Sequence, residues 1–186
     1  MSEPILTVAN QLTILRMALA PALVVLVLSR RFSWAALVFA VAGFTDLLDG
    51  LIARHGHQET TMGAMLDPVA DKVFAASSYV ALTWGAGLPC PLPIWLTVTV
   101  LSRDAIIIVS VAAINLTFGR RVFHPSLPGK LATLLQVVTA GMALLSDALG
   151  GCLRFVPELF TLTLLLTVGS ALHYVYLASV RKPTST

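Results

Sequence analysis

Charge is what this sequence has least of. Aspartate, glutamate, lysine and arginine make up 11% of its 186 residues, against roughly 25% in an ordinary soluble domain, so water is not its main solvent. Cysteine is nearly absent as well. Cys90 and Cys152 are too few for a disulfide framework and stand in no CxxC or Cys/His metal spacing; they read as two unpaired loop thiols, with a bridge as the alternative. The chain has no internal repeat and no low-complexity segment. It also lacks the basic face or tail of a nucleic-acid binder, because its twelve Lys and Arg fall mainly between apolar runs. The Met1–Arg16 segment carries Glu3 and almost no basic residue, which argues against a cleaved signal peptide and predicts that the first apolar stretch stays as a helix.

What is abundant is apolar sequence, at 57% of the residues. A spanning helix needs about 20 predominantly apolar residues, and six stretches qualify: about Asn10–Leu28, Trp34–Ala53, Leu66–Gly85, Leu92–Leu116, Leu127–Leu149 and Phe155–Val180. The expected fold is an all-α integral membrane protein, a bundle of six transmembrane helices forming one domain over residues 1–186. Six spans put both termini on one side of the membrane. With the N-terminus inside, the inner segments hold Arg54, Arg120, Arg121, Lys130, Arg181 and Lys182, against Arg30, Arg31 and Arg154 outside; the positive-inside tendency therefore predicts N-in, C-in. Arg30 and Arg31 run against it, with interfacial snorkelling the only reason the sequence offers. Both cysteines fall in loops on the outer side. A cell inner or plasma membrane is the expected location.

The most informative segment is FTDLLDGLIARHGHQETTMGAMLDPVADK. It places Asp46 and Asp49 at i, i+3 near the end of one apolar helix, and Asp67 and Asp71 at i, i+4 near the start of the next, so that each pair shares a helical face. A single uncompensated Asp in a span costs about 2.5–3.5 kcal/mol even on a lenient insertion scale, and four demand neutralisation. Two divalent cations, Mg²⁺ or Mn²⁺, supply it through hard oxygen ligands without needing His55 or His57, and a two-metal centre suits displacement at phosphorus. Taken one at a time, each carboxylate is as readily a helix cap or a partner for Arg54 or Lys72. Gly50 follows Asp49 and Gly63 precedes Asp67 by four, where a bare backbone admits a bulky ligand. Arg54 can fork onto a phosphate. Singly, these glycines are packing residues and Arg54 an interfacial anchor; only their registration with the acids gives them weight.

In that registration the sequence resembles the CDP-alcohol phosphatidyltransferases, whose signature reads D-x-x-D-G-x-x-A-R, eight residues, then G-x-x-x-D-x-x-x-D. Asp46, Asp49, Gly50, Ala53, Arg54, Gly63, Asp67 and Asp71 match it with every gap kept, and the six-span layout extends the resemblance over nearly the whole chain. The resemblance implies that Asp46, Asp49, Asp67 and Asp71 hold two divalent metals, that Asp71 also takes the proton from an acceptor hydroxyl, and that Gly50, Ala53, Arg54 and Gly63 contact the CDP part of a CDP-diacylglycerol donor. A homodimer is implied in the same way. The opening NQLTILR resembles the family's first helix, setting Asn10, Thr13 and Arg16 on one face toward the nucleotide-lipid site, Asn10 and Thr13 at the CDP and Arg16 at the acceptor or a lipid phosphate; an N-cap Asn with an interfacial Arg is the alternative. No Ser/His or Cys/His nucleophile arrangement is present, and His173 reads as interfacial.

Two later segments bear on the acceptor. LSRDAIII puts Arg103 and Asp104 inside the fourth span, and HPSLPGKLATLLQ puts Lys130 at the start of the fifth. Arg103 is a functional candidate by virtue of its depth, or else is simply neutralised by Asp104. Together the two segments resemble most the members that use phosphatidylglycerol and form cardiolipin. Members using glycerol 3-phosphate typically show RE at this point and a second Arg two turns on, where this chain has Val111, Ala112 and Ala113. Arg103, Lys130, Arg120 and Arg121 still compose a conceivable anion site, so glycerol 3-phosphate is the runner-up. A divalent-cation transporter is the non-enzyme alternative, but it leaves the Gly and Arg registration without a purpose.

Overall fold

The computed structural model describes the backbone of residues 8–56, 61–118 and 127–180, and the side chains of residues 11, 13–45, 69–110 and 127–174. It is all-helical over these residues, in the order α1 Val8–Leu28, α2 Phe32–Gly56, α3 Thr61–Trp84, α4 Ile94–Phe118, α5 Leu127–Ala148 and α6 Val156–Val180. The six helices coincide with the six expected stretches. The largest departure is the start of α3, which begins at Thr61 rather than near Leu66, because a helix continues past the end of its apolar run wherever nothing breaks it. Leu127–Ala148 and Val156–Tyr174 are long and apolar enough to cross a membrane, while Thr13–Leu28 and Phe32–Thr45 are shorter apolar helices.

Two compact units can be distinguished, one comprising Met1–Pro91 with Ala140–Leu153, the other Leu92–Thr139 with Arg154–Thr186. In the first unit α1 packs on both α2 and α3. Ala35, Ala42 and Ala70 are fully or almost fully buried, and small residues at helix contacts let backbones approach closely where lipid removes the hydrophobic drive between helices. Leu23, Val27, Tyr79 and Leu82 complete the core, and the Phe39 and Phe74 rings meet at 5.7 Å between α2 and α3. In the second unit α4 packs on α6 around Leu96, Val100 and Phe160. There the polar groups lie inward: the Gln136 amide donates to Thr167 Oγ1 at 3.1 Å, and the Thr139 and Thr163 hydroxyls are 2.6 Å apart. Apolar side chains lie outward, with Ile14, Val25, Phe44, Val109, Leu165 and Leu172 each more than half exposed. Polar inside and apolar outside suits a hydrocarbon surrounding.

Helix α1 ends in a Schellman motif, in which Arg30 N–H donates to the Val27 carbonyl and Arg31 N–H to the Leu26 carbonyl, both at 2.9 Å. Arg30 takes the left-handed position, at φ 58, where glycine is usual. Its guanidinium lies against Gly87, itself at φ 77; a Cβ there would come within 3.0 Å of Arg30 Cζ. The Arg30 charge that ran against the orientation count thus has a local purpose, packing the end of α1 onto the turn after α3. The cysteines also differ from expectation. Rather than remaining unpaired, Cys90 and Cys152 are joined by a disulfide, with Cα atoms 4.7 Å apart, because the fold brings together two loops that lie 62 residues apart in sequence.

Candidate active site

The acidic segment is helical on both sides of its loop. Asp46, Asp49, Gly50, Ala53 and Arg54 lie on α2 and Gly63, Asp67 and Asp71 on α3, so the spacing argument rests on helical backbone. The side chains of Asn10, Asp46, Asp49, Ala53, Arg54 and Asp67, together with Gly50 and Gly63, lie outside the described side chains, and Arg120 and Arg121 lie outside the described residues altogether.

Asp71 is the described member of the acidic set, and α1 supplies its partner. The Arg16 guanidinium donates from Nη1 to Asp71 Oδ1 across the α1–α3 packing. Arg16 is buried to 2% exposure whereas the Asp71 side chain is 46% exposed. The cation is enclosed and the carboxylate meets solvent. Burial of Arg16 without a counter-charge would be costly, since breaking a buried pair by removing one partner costs about 3–5 kcal/mol, discounted here because Asp71 meets solvent. Arg16, expected at the acceptor or a lipid phosphate, is bonded to the carboxylate expected to act as base. Thr13, one turn before it on α1, is equally buried.

In the second unit the structure brings Arg103 to the opening of α5. Arg103 is buried; its Nη1 donates to Asp104 Oδ1 at 2.8 Å and its Nη2 to the Gly129 carbonyl at 3.3 Å, one residue from the exposed Lys130. Thr133 Oγ1 donates to the same carbonyl at 3.1 Å. Hence Thr133 and Gln136, members of the pattern that pointed to an acceptor, make packing hydrogen bonds.

Asp147 was not singled out in the sequence. It is buried at the end of α5, and its Oδ1 accepts from Cys90 N–H at 2.7 Å. A lone carboxylate in the last turn of an apolar helix carries no spacing that would mark it.

Asp71 allows a test of whether divalent ions fit. Its carboxylate is a hard oxygen donor, held on one oxygen by Arg16 and open to solvent, which suits Mg²⁺ or Mn²⁺ better than a soft-ligand metal. Among the described residues no group of three or more His, Cys, Asp or Glu is assembled, the other three carboxylates being outside the described side chains.

Residues 6–176 match the model of the CDP-alcohol phosphatidyltransferases. The chain belongs to that family. Among curated relatives it is similar to a cardiolipin synthase (CMP-forming) of Streptomyces coelicolor, 35% identical over 158 residues that cover 80% of this chain and 70% of the relative. It is also similar to a probable phosphatidylglycerophosphate synthase of Mycobacterium tuberculosis, 34% identical over 92% of this chain and 81% of the relative. The human cardiolipin synthase (CMP-forming) is 43% identical over 106 residues, 56% of this chain; the match spans only 34% of that longer protein.

Proposed function

We propose that this protein is a CMP-forming phosphatidyltransferase that moves the phosphatidyl group of CDP-diacylglycerol onto a hydroxyl of phosphatidylglycerol, giving cardiolipin. The observation that carries this reading is the complete registration of Asp46, Asp49, Gly50, Ala53, Arg54, Gly63, Asp67 and Asp71 on two consecutive helices, with Asp71 anchored by Arg16.

Asp46, Asp49, Asp67 and Asp71 would hold two divalent ions, which when bound supply charge withdrawal from the donor's pyrophosphate. Gly50 and Gly63 leave backbone room for the cytidine and phosphates, with Ala53, Asn10 and Thr13 beside them and Arg54 pairing with a phosphate oxygen. Asp71 accepts the proton of the attacking hydroxyl, a role for which a charged carboxylate at the site's opening is suited. Arg16 holds that carboxylate in one orientation. CMP departs opposite the attacking oxygen, with no covalent enzyme intermediate.

Acceptor choice rests on the second unit. Arg103 already shares its charge with Asp104, so it has less to offer a dianionic headgroup than a free guanidinium would. Phosphatidylglycerol, a monoanionic diester, asks for less. Lys130, Arg120 and Arg121 complete the acceptor side in this reading. Glycerol 3-phosphate is the second reading, favoured by the long match to the mycobacterial relative. We place the protein as a six-span, N-in, C-in domain of a cell membrane with the acidic end cytoplasmic, working as a homodimer.

The test is a competition. Purified protein receives CDP-diacylglycerol labelled in its phosphatidyl part, Mn²⁺, and equal phosphatidylglycerol and glycerol 3-phosphate. Cardiolipin should carry most of the label; label solely in phosphatidylglycerophosphate would transfer the assignment to the second reading, and no CMP with either acceptor would end both.

A further inference from the structure

We propose that Cys90 and Cys152 are oxidised to a permanent disulfide in the cell, and that this staple marks the end of the molecule that lies in an oxidising compartment. The loops that carry the two cysteines are pre-arranged by other contacts. Asp147 holds Cys90 by its backbone N–H at 2.7 Å. The end of α5 closes in a second Schellman motif, with Gly151 N–H on the Ser146 carbonyl at 3.1 Å and Gly150 at φ 79, while Leu153 N–H reaches Ser146 Oγ at 3.4 Å. From the other side, Arg30 lies against Gly87. The resulting Cα separation of 4.7 Å falls within the range of bridged pairs, about 4.4–6.8 Å. Cys90 is buried and Cys152 exposed, so Cys152 is the sulfur an oxidant can reach.

The chemistry is a two-electron exchange. The Cys152 thiolate attacks the disulfide of an external thiol–disulfide oxidoreductase, forming a mixed disulfide and expelling one thiolate of that oxidant. The Cys90 thiolate then attacks Cys152 Sγ, releasing the oxidant as its dithiol. Two electrons and two protons pass from the cysteines to the oxidant. Such bonds persist outside the cytosol and are rare within it.

Asp71 lies 13 residues before Trp84 on α3, about 20 Å along the axis at 1.5 Å per residue. Helix α3 runs from Thr61 to Trp84, about 35 Å against a hydrocarbon core of about 30 Å, so the staple beyond its Trp84 end and its Thr61 end, toward which the acidic segment lies, fall on opposite sides of a membrane that α3 spans. This deepens the orientation given under Proposed function and rests on α3 as a span; turnover does not depend on it, so the failure of one is visible without the failure of the other.

The experiment uses the full chain in a bacterial host with a periplasm. Cells are quenched in acid, denatured and treated with polyethylene-glycol maleimide before or after reduction. No adduct before reduction and two adducts after it are expected; two adducts before reduction would overturn the bond. Right-side-out vesicles are then treated with a membrane-impermeant phosphine reductant and an impermeant maleimide. Labelling of Cys152 is expected there, and labelling solely in inverted vesicles would overturn the orientation. Finally, the C90S/C152S double variant should retain turnover at low temperature yet unfold about 5–10 °C earlier, as loss of a crosslink enclosing a long loop entails. Equal midpoints would overturn the stapling role.

Discussion

The two units each contain a buried arginine bonded to an aspartate, and the two pairs differ in what they leave open. Arg16 and Asp71 are 55 residues apart and tie α1 to α3; the cation is buried and the carboxylate is 46% exposed. Arg103 and Asp104 are neighbours on α4, and both are mostly buried, at 7% and 13% side-chain exposure. The first pair holds a carboxylate by its base while leaving it reachable, which is what a proton acceptor needs. The second largely cancels itself, and Arg103 Nη2 donates to the Gly129 carbonyl, tying α4 to the start of α5. The same two residue types therefore leave the acid reachable in one place and enclosed in the other, and exposure of the acid distinguishes them.

Substitutions can break this contrast at different depths. The largest effect is expected for Asp71→Asn: CMP release should fall by at least about 10³-fold, within the span of general-base and ligand losses, while the unfolding midpoint of the purified protein falls by a few degrees, because Arg16 stays buried without its counter-charge. Arg16→Met should come next, lowering turnover about 10- to 100-fold and the unfolding midpoint by several degrees, since it strands Asp71 and leaves a gap in the α1–α3 packing. The share of the pair itself is read from the full cycle of R16M, D71N and R16M/D71N; if the stability loss of the double variant equals the sum of the two single losses, the Arg16–Asp71 bond contributes nothing. Asp104→Asn should act more mildly, lowering the KM for an anionic acceptor about 3- to 10-fold with kcat nearly unchanged, because it frees the Arg103 charge without removing it. A kcat loss as deep as that of Asp71→Asn would erase the contrast between the pairs. The smallest effect is expected for Thr139→Val, which removes one interhelical hydrogen bond of a kind that contributes about 0.6 kcal/mol in membrane bundles, read as a shift of one or two degrees.

Much of this was legible in the sequence, for reasons visible residue by residue. Helices α1 to α6 followed from apolar run length, which is a local property; the start of α3 was misplaced because Thr61–Met65 continues the helix without adding much to the apolar run. The spacing of Asp46, Asp49, Asp67 and Asp71 was legible because helical periodicity turns sequence gaps into faces. The partner of Asp71 was not, since nothing local links position 16 to position 71. Arg30 was a puzzle as a charge count and became a packing residue once its left-handed backbone and its contact with Gly87 were in view. The Cys90–Cys152 bond and the Asp147 cap depend on two loops meeting, and two isolated cysteines carry no spacing code for that.

The measurement that bears most directly on the acidic site is CMP release by the purified protein from CDP-diacylglycerol and phosphatidylglycerol, after EDTA treatment and then with Mn²⁺ or Mg²⁺ restored, beside Asp67→Asn as control. The account predicts release that is lost with EDTA, regained with the metal, dependent on the acceptor, and absent in the variant. Release that persists in EDTA, or that Asp67→Asn leaves intact, would contradict it.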